Sequence, residues 1–484
     1  MCGFIGIAGL EGRDVATELY EGLIALQHRG QDAAGILSYD GMFHLRKQNG
    51  MVRDIFRSSD MQRLKGNLAV GHVRYPTVGM GSEQDAQPFY INFPFGVGMA
   101  HNGNLTNWVD LKSNRFPATN ICVESSCDVE AILYAFADGL RRAEPSLPLE
   151  DRVRAGVTNA FELAKGAYSV GGILSEGALF GFRDPVGIKP CIVGKRESDK
   201  GTEWAVASES VALDVMGFDR VRDLKNGEAF FVRPGEDPIF VQVLEKKHRP
   251  CIFELVYFAR PDSFLDGISV YKTRRRFGKA LAEQWKEEGA PLPDVVIPIP
   301  DSARDAALST ANHLGLPYRE GFIKNRYVGR TFIMPNQEAR KTSIRRKLNP
   351  IALEFKNKNV LLVDDSIVRG NTSRRIIEAA RAAGARNIYF AATSPPLVAP
   401  CPYGIDMATT KDFIARGRSI EEVREDIGAD YLMYLDQDRM VDSARAGNAE
   451  IEKFCTGCFT GDYPTTDAAE HLVALSEERS AARD

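Results

Sequence analysis

The stretch from Asn359 to Gly384 constrains the fold of this chain more strongly than any other. Four consecutive aliphatic residues, Val360–Val363, predict a strand that is buried on both faces, as in a parallel sheet. After a short polar loop, Arg374–Ala383 predicts a helix. Gly384 follows it directly, and glycine commonly terminates a helix at this position. The sequence therefore predicts a strand, a loop and a helix in an α/β domain.

The loop between this strand and this helix carries side chains suited to a phosphorylated ligand. Two adjacent acids end the strand, and a glycine and three small polar residues follow: Asp364, Asp365, Gly370, Asn371, Thr372 and Ser373. The N–H groups at a helix N-terminus suit a phosphate, and the carboxylates suit ribose hydroxyls or a hydrated divalent cation. The alternative is an ordinary loop with solvated acids. The small polar residues after the acids favour the ligand site.

Further strands and helices alternate around this stretch. Asp294–Pro300 and Asn387–Thr393 predict two more buried strands, and Arg304–Leu314 predicts a helix between Asp294–Pro300 and Val360–Val363. This alternation indicates a parallel sheet, whose ligands bind at the carboxyl ends of the strands. Ser302 lies just after one of those ends.

Composition limits the classes of protein that remain. A chain of 484 residues predicts two or three domains. The net charge of −4 argues against a general nucleic-acid binder, which needs a basic surplus. No apolar run reaches the roughly 18 residues that indicate a membrane span, and the N-terminus lacks the marks of a signal peptide. We therefore expect a cytoplasmic protein, whose eight cysteines serve catalysis or metal binding more often than disulfides.

The chain begins Met1-Cys2-Gly3, at the start of a glycine-interrupted strand. Removal of Met1 would place the Cys2 thiol beside its own α-amino group. Because the reference pKa of an α-amine is about 7.7–8.0, this amine can accept a proton at neutral pH and activate the thiol. Taken alone, Cys2 is more often a small buried residue, so its role depends on the rest of the domain.

Glycine-rich polar turns separate the apolar strands of the N-terminal half. They are Gln27–Gly35, Gly71–Gly79 and His101–Leu105. Three histidines lie in these turns, His28, His72 and His101, and their spacings match no metal-binding pattern. We interpret these histidines as structural.

These motifs resemble those of a known family. The run Val363-Asp-Asp-Ser-Ile-Val-Arg-Gly-Asn-Thr-Ser373 is similar to the phosphoribosylpyrophosphate (PRPP) loop of type I phosphoribosyltransferases, and the glycine-rich turns resemble class II glutamine amidotransferases. Together they resemble the glutamine PRPP amidotransferase family. The resemblance implies an N-terminal-nucleophile αββα sandwich over residues 2–235, a parallel-sheet phosphoribosyltransferase domain over 236–463, and a C-terminal tail over 464–484.

The resemblance also assigns roles in the glutaminase domain. It makes Cys2 the nucleophile and places Asn102 and the Gly103 N–H in the oxyanion hole, which stabilises a tetrahedral oxyanion. It implies that Arg74 binds the α-carboxylate of glutamine, which suits the planar guanidinium group, and that Asp128 binds the α-amino group. Cys127 stands where the family usually has serine.

In the second domain the resemblance implies a PRPP site with bound Mg²⁺. The PRPP ligands would be Asp364, Asp365, Ser366, Gly370, Asn371, Thr372 and Ser373, and the Mg²⁺ ligands would be Ser302, Asp364 and Asp365. The family usually has threonine where this chain has Asn371 and glycine where it has Ala303.

A basic segment, Lys324–Lys347, carries eight Lys or Arg among its 24 residues. A loop of this length is uncommon without a function. The family has a lid at this place, and we interpret Arg326 and Lys347 as its contacts with pyrophosphate. The alternative is a solvated or RNA-binding loop, which the acidic chain disfavours.

Four cysteines form a possible metal-ligand set: Cys251, Cys401, Cys455 and Cys458. Four thiolates suit an Fe–S cluster or a structural zinc ion. Members of the family with these four cysteines hold a [4Fe–4S] cluster, so the resemblance implies that cofactor. Cys122 and Cys191 fall outside the pattern and are predicted to be core residues.

The implied reaction is the first step of de novo purine synthesis. Glutamine, PRPP and water would give 5-phosphoribosylamine, glutamate and pyrophosphate. The family also implies purine nucleotides as inhibitors and a homo-oligomer, a tetramer. Two alternatives remain, another class II amidotransferase, which lacks a PRPP loop, and a PRPP-sensing regulator, which would not need the full glutaminase set.

Overall fold

The computed structural model describes residues 1–75, 82–324, 348–405, 407, 413–468 and 471–472. In these residues the N-terminal half forms two antiparallel sheets. The first sheet has seven described strands, in spatial order Asp219–Asp223, Ile192–Ser198, Gly201–Ala207, Gly3–Ala8, Leu68–Arg74, Ala33–Tyr39 and Phe43–Asn49. The second has six, Ile239–Gln242, Glu228–Val232, Ala178–Arg183, Gly166–Leu174, Val97–Leu105 and Phe89–Ile91.

The two sheets stack because their inner faces are apolar. Side chains from both sheets, such as Phe4, Val70, Ile173 and Leu179, form one buried cluster. On the outer faces lie the helices Ala16–Ala25, Ser210–Val215, Val129–Arg142 and Leu149–Leu163. This arrangement confirms the predicted αββα sandwich.

The sandwich extends further along the chain than predicted. Ile239–Gln242 pairs with Glu228–Val232 in the second sheet. The first domain therefore includes these residues, beyond the expected boundary at residue 235, because an edge strand follows the last predicted motif.

The second domain is built on a parallel sheet, as predicted. Its four described strands are, in spatial order, Val295–Pro298, Asn359–Asp364, Asn387–Ala392 and Tyr431–Tyr434. The helices Val270–Glu287, Arg304–Leu314, Asn371–Ala382, Ile420–Ile427 and Gln437–Arg445 accompany it. Two small two-stranded sheets, Phe264–Leu265 with Ile268–Ser269 and Phe322–Lys324 with Leu348–Pro350, complete the described strands.

Short helical segments connect these elements. They are Val52–Ile55, Ser58–Arg63, Glu83–Asp85, Trp108–Asp110, Leu111–Arg115, Pro117–Thr119, Glu254–Phe258, Ala352–Phe355 and Gly457–Thr460. Among the helices that the structure describes, none is both long and apolar enough to cross a membrane.

The predicted central strand and helix are both present. The strand runs over Asn359–Asp364, one residue longer at each end than expected. The helix begins at Asn371, three residues earlier than expected, because Gly370 adopts a left-handed conformation (φ +71°) that sets the start of the helix. Gly384, with φ +93°, follows the end of the helix.

Candidate active sites in the two domains

Cys2 lies at the entry to the central strand of the first sheet and is buried. Its backbone N donates to Asn102 Oδ1 at 3.3 Å. Its Sγ lies 3.6 Å from the carbonyl oxygen of Tyr75, which follows the neighbouring strand. The fold therefore brings Cys2 together with Asn102, which is 100 residues away in sequence.

Asn102 is oriented by this contact with Cys2. Its Oδ1 accepts the bond from Cys2, so the Nδ2 group points elsewhere. That Nδ2 is buried and has no hydrogen-bond partner among the residues that the structure describes. A buried, unpaired donor beside a nucleophile suits an oxygen atom that gains negative charge in the reaction.

Gly103 presents its N–H at the edge of the strand Val97–Leu105 that, beyond Met99, pairs with no other strand among the described residues. The neighbouring His101 and Leu105 N–H groups donate to side chains, Gln87 Oε1 and Asp128 Oδ2, each at 2.8 Å. Because N–H directions alternate along a strand, the Gly103 N–H faces this same edge.

Only glycine fits at this position. A Cβ atom on Gly103 would lie 2.0 Å from the Ala167 carbonyl oxygen. The close backbone approach explains why the sequence has glycine between Asn102 and Asn104.

Asp128 and Arg74 form the polar wall of this site. Asp128 precedes the helix Val129–Arg142, accepts a bond from Leu105 N and lies 3.3 Å from His101 Nε2. Burial raises the pKa of Asp128, but His101 and these hydrogen bonds outweigh it, so the net shift is downward. Arg74 is buried at the end of its strand, with Nη2 3.8 Å from Asp85 Oδ2. An ionised carboxylate and a guanidinium, the charges that complement an α-amino acid, thus lie in one site.

The three histidines are held by protein groups, as the structural interpretation predicts. His28 contacts Ala25 O and Glu209, and His72 Nε2 lies 3.1 Å from the His101 carbonyl oxygen. Burial and the neighbouring His101 lower the pKa of His72 well below its usual value. His101 lies between Gln87 and Asp128.

The cysteines outside the four-cysteine set fall in different environments. Cys191 is fully buried, as predicted, whereas Cys122 is exposed, so its assignment to the core was wrong. Cys122 lies in an irregular segment after the turn Pro117–Thr119. Cys127 is buried, and burial raises its pKa to about 12.

Sequence reasoning missed a buried arginine behind the nucleophile. Arg29 is fully buried, and its Nε donates to the Cys2 carbonyl oxygen at 3.0 Å. Its Nη1 donates to Glu209 and its Nη2 to Glu254 Oε1 at 2.7 Å. Glu254 belongs to the second domain, so this arginine joins the nucleophile to both domains. The only sequence signal was its place in the turn Gln27–Gly35.

The predicted PRPP loop lies at the carboxyl end of the parallel sheet. Ser302, from the loop after the first strand, donates through its hydroxyl to Asp365 Oδ2. The Ser366 hydroxyl donates to Asp365 Oδ1 at 2.6 Å, and Asp365 N donates to Asp364 Oδ1 at 2.9 Å. The structure therefore brings together the three residues that were predicted to bind Mg²⁺.

The two adjacent carboxylates are electrostatically unfavourable without a cation. Burial and the neighbouring Asp365 raise the pKa of Asp364 well above its usual value. Burial also raises the pKa of Asp365, although Ser302 and Ser366 oppose this. A positively charged or hydrogen-bond-donating ligand would stabilise the ionised pair.

The glycine and small polar residues form the first turn of the helix. Gly370 leaves no room for a side chain, since a Cβ would lie 2.2 Å from Ile414 Cδ1. Asn371 and Thr372 are exposed and Ser373 is buried. The N-terminal N–H groups of this helix start at the carboxyl end of the sheet, where a phosphate would bind.

Two predicted residues cannot be placed. Arg326 and Lys347, with the rest of 325–347, lie outside the described residues, as does 473–484 of the predicted tail. At the edge of the basic segment, Lys324 Nζ donates to Asp301 Oδ2 at 2.9 Å.

The four cysteines of the predicted metal site converge between the domains. Cys251 and Cys455 lie opposite each other in a short bridge, in which Cys455 N donates to Pro250 O at 2.8 Å. The carbonyl oxygen of Cys458 accepts the N–H groups of Val398 and Ala399, close to Cys401 in sequence.

The thiols of this group influence one another. Burial, with smaller contributions from Glu254 and Cys401, raises the pKa of Cys251 to about 12, although Lys189 opposes the shift. The pKa of Cys458 is raised by burial and by Cys251, Cys401 and Cys455. Even so, within the described ranges no three Cys, His, Asp or Glu side chains are arranged as ligands of one metal ion.

Comparisons with known proteins agree with this geometry. Residues 72–215 match the family described as the glutamine amidotransferase domain. The chain is 48% identical over 482 residues to an amidophosphoribosyltransferase of Pseudomonas aeruginosa, covering 99% of this chain and 96% of that one. It is 46% identical to the enzyme of the same name from Saccharomyces cerevisiae, covering 99% and 95%.

The fold agrees as well as the sequence. Glutamine PRPP amidotransferase from Bacillus subtilis, whose structure was solved in complex with ADP and GMP, superposes with a TM-score of 0.84 at 36% identity. The match covers 96% of this chain and 98% of that one. The chain therefore belongs to the amidophosphoribosyltransferase family, the glutamine amidotransferases that act as pentosyltransferases on PRPP.

Proposed function

We propose that Cys2, freed by removal of Met1, attacks the carboxamide carbon of glutamine. The α-amine of Cys2 accepts the thiol proton and delivers it to the leaving nitrogen, so that ammonia departs and a glutamyl thioester remains. Water then hydrolyses the thioester to glutamate and restores the thiol. The ammonia attacks C1 of PRPP, where the bond to pyrophosphate breaks, and gives 5-phosphoribosylamine with inversion.

One observation carries this proposal. The buried Nδ2 of Asn102 has no partner in the described structure, while its Oδ1 accepts from Cys2 N. The side chain is therefore fixed beside the nucleophile with one donor available, and the Gly103 N–H faces the same edge. Two such donors stabilise the oxyanion that forms when the thiolate adds to the carboxamide.

Arg74 and Asp128 would make the site specific for glutamine. The Arg74 guanidinium would bind the α-carboxylate, and the ionised Asp128 would bind the α-ammonium. The lowered pKa of Asp128 supports this role, because the carboxylate stays charged at neutral pH.

In the second domain, Asp364 and Asp365 would bind the ribose hydroxyls of PRPP. Ser366 and the turn Gly370–Ser373 would bind its 5′-phosphate. The start of the helix Asn371–Ala382 and the small side chains of this turn support the assignment, since N–H groups there suit a phosphate.

Mg²⁺ would be held by Ser302, Asp364 and Asp365. These residues fit a cation, because their oxygens lie within one hydrogen-bonded group and the carboxyl pKa values are raised without one. When bound, Mg²⁺ supplies positive charge to the pyrophosphate leaving group.

The four cysteines would hold a [4Fe–4S] cluster, which would make the chain a member of the Fe–S subgroup. Three of them, Cys251, Cys455 and Cys458, are buried and Cys401 is partly buried, which supports a structural role, and the four-thiol count also suits zinc. Iron, sulfide and zinc analysis of anaerobically purified protein, with its visible spectrum, tests this. One equivalent of zinc without iron would exclude the cluster.

Purine nucleotides would regulate the enzyme, and the chain would assemble into a homo-oligomer. The B. subtilis relative, solved with ADP and GMP, supports nucleotide binding. Assay of the synthase with added GMP and sedimentation of the purified protein test these two points. Unchanged activity with GMP, or a monomer at assay concentration, would refute the corresponding point.

Substitution of the nucleophile tests the proposed function. Cys2→Ala should abolish glutamine-dependent synthesis and keep synthesis from free ammonia, because the PRPP site lies in the other domain. Glutamate release and pyrophosphate release are measured with each nitrogen donor. Glutamine-dependent turnover that persists in Cys2→Ala would refute the role of the thiol.

A further inference from the structure

A segment of the second domain contacts the strand that carries the oxyanion-hole residues. Asn104, which directly follows Gly103, is buried, and its Nδ2 donates to the Pro402 carbonyl oxygen at 2.9 Å. The two residues are 298 positions apart in sequence. The segment Cys401–Gly404 therefore reaches the glutaminase site across the domain junction.

The contact at Gly404 is closer still. Gly404 has φ +91°, and a Cβ built on it would lie 2.7 Å from the Gly103 carbonyl oxygen and 3.0 Å from the Gly103 carbonyl carbon. Its backbone thus packs directly on the Gly103 peptide. A Cβ on Gly103 itself would lie 2.0 Å from the Ala167 carbonyl oxygen, so the Gly103 backbone is closely packed there as well.

The described C-terminal residues support this segment. The Tyr403 hydroxyl lies 2.8 Å from Thr465 Oγ1, and Tyr403 N donates to Cys401 Sγ at 3.4 Å. Asn104 Nδ2 also lies 3.2 Å from His471 Nε2. The two contacts of Tyr403 fix its position in the segment, and they therefore help to fix the neighbouring Gly404 against Gly103.

We propose that Cys401–Gly404 is a positioning element for the oxyanion hole, with Gly404 and Asn104 as its positioning residues. The segment touches no reacting atom. It acts by fixing Gly103 through its carbonyl group, so that the N–H of the same residue points at the developing oxyanion. This inference rests on the role proposed above for Asn102 and Gly103.

Displacement of the Gly103 N–H should slow the glutaminase reaction and no other step. An oxyanion-hole donor acts on the transition state, so its displacement lowers kcat more than it raises the KM for glutamine. A misplacement of about 1 Å in an active site costs up to about 100-fold in rate. Ammonia-dependent synthesis needs no oxyanion hole and should be unaffected.

Gly404→Ala tests the proposal, with Gly417→Ala as the matched control. Gly417 lies in the same domain and is also left-handed, with φ +68°, but nothing lies within 4 Å of its missing Cβ. Both variants carry the strain of alanine at positive φ, and only Gly404→Ala pushes on Gly103. We expect glutaminase kcat, measured with saturating PRPP and Mg²⁺, to fall about 10- to 100-fold in Gly404→Ala relative to Gly417→Ala.

A second readout separates positioning from general damage. Alkylation of Cys2 by iodoacetamide passes through no tetrahedral oxyanion, so its rate reports only on the thiol. We expect this rate, and ammonia-dependent synthesis, to be the same in Gly404→Ala and Gly417→Ala. A parallel loss of alkylation, or an equal glutaminase kcat in both variants, would overturn the proposal.

Asn104→Ala provides an independent variant if Gly404→Ala does not fold. It removes the bond to Pro402 and adds no bulk, and we expect the same loss of kcat in smaller degree. Asn102→Ala separates this inference from the proposed function. If Asn102→Ala keeps full glutaminase kcat, the oxyanion hole itself is wrongly assigned. If it lowers kcat while Gly404→Ala and Asn104→Ala do not, only the positioning role fails.

Discussion

The buried arginine behind the nucleophile gives the sharpest prediction about how the two domains are held together. The side chains of Arg29, Glu209 and Glu254 are 0%, 0% and 2% exposed. Glu209 has other partners, His28 Nε2 at 3.0 Å and the Ser263 hydroxyl at 2.7 Å. Glu254 has no second hydrogen-bonded side chain in the described structure, and its Oε2 is buried without a partner.

Arg29→Met should therefore leave the Glu254 carboxylate buried without a counter-charge. Removing one member of a buried ion pair costs about 3–5 kcal/mol of unfolding free energy. The matched control is Arg439→Met, which breaks the surface pair with Glu287 and should cost about 0–1 kcal/mol. Replacement of both buried partners, Arg29→Met with Glu254→Leu, should recover part of the loss, with a coupling of about 1–3 kcal/mol.

The assay is equilibrium urea unfolding followed by both tryptophan fluorescence and circular dichroism. Two probes are needed because a two-domain chain need not unfold in one step. Two results would show that the buried ion pair does not stabilise the domain junction. One is an equal loss of unfolding free energy in Arg29→Met and Arg439→Met. The other is a loss in the double variant that equals the sum of the losses in the two single variants.

Two further predictions concern pH and the metal. Burial, with Arg183 nearby, lowers the pKa of His248 to about 4. The fold therefore favours the neutral ring, and this stability is complete above the unfolded pKa of about 6.5 and is lost as pH falls towards 4. Between pH 7 and pH 5 the wild-type protein should lose about 2 kcal/mol of unfolding free energy through this histidine. Urea unfolding of His248→Gln should show a smaller loss over the same pH range than the wild type. An identical loss in both proteins would contradict the lowered pKa of His248. Ser302→Ala, which removes a donor to Asp365, should raise the Mg²⁺ concentration needed for ammonia-dependent synthesis; an unchanged Mg²⁺ dependence would exclude Ser302 as a ligand.

The elements of the proposed PRPP site could be predicted from the sequence because they are local. A strand, its terminal acids and the following helix lie within one stretch, and parallel strands bring Ser302 to the same edge. The helix start was predicted three residues late because Asn371, Thr372 and Ser373 are weak helix formers in a helix interior. In the first turn these residues are tolerated, and the left-handed Gly370 fixes the start.

The contacts between domains could not be predicted from one sequence. Arg29 bonds to Glu254, 225 positions away, and Asn104 bonds to Pro402 at a separation of 298. No periodicity or local motif encodes such pairings, because they depend on how two finished domains pack. The exposed Cys122 illustrates the same limit, since burial there is decided by the path of an irregular segment.

The central claim is that one chain moves the amide nitrogen of glutamine to C1 of PRPP. The direct measurement uses glutamine labelled with ¹⁵N at the amide, an excess of unlabelled ammonium at neutral pH, PRPP and Mg²⁺, with the 5-phosphoribosylamine trapped as it forms. We predict that the product carries mostly ¹⁵N and that glutamate and pyrophosphate appear in equal amounts. An unlabelled product, or glutamate release without pyrophosphate, would contradict transfer between the two sites.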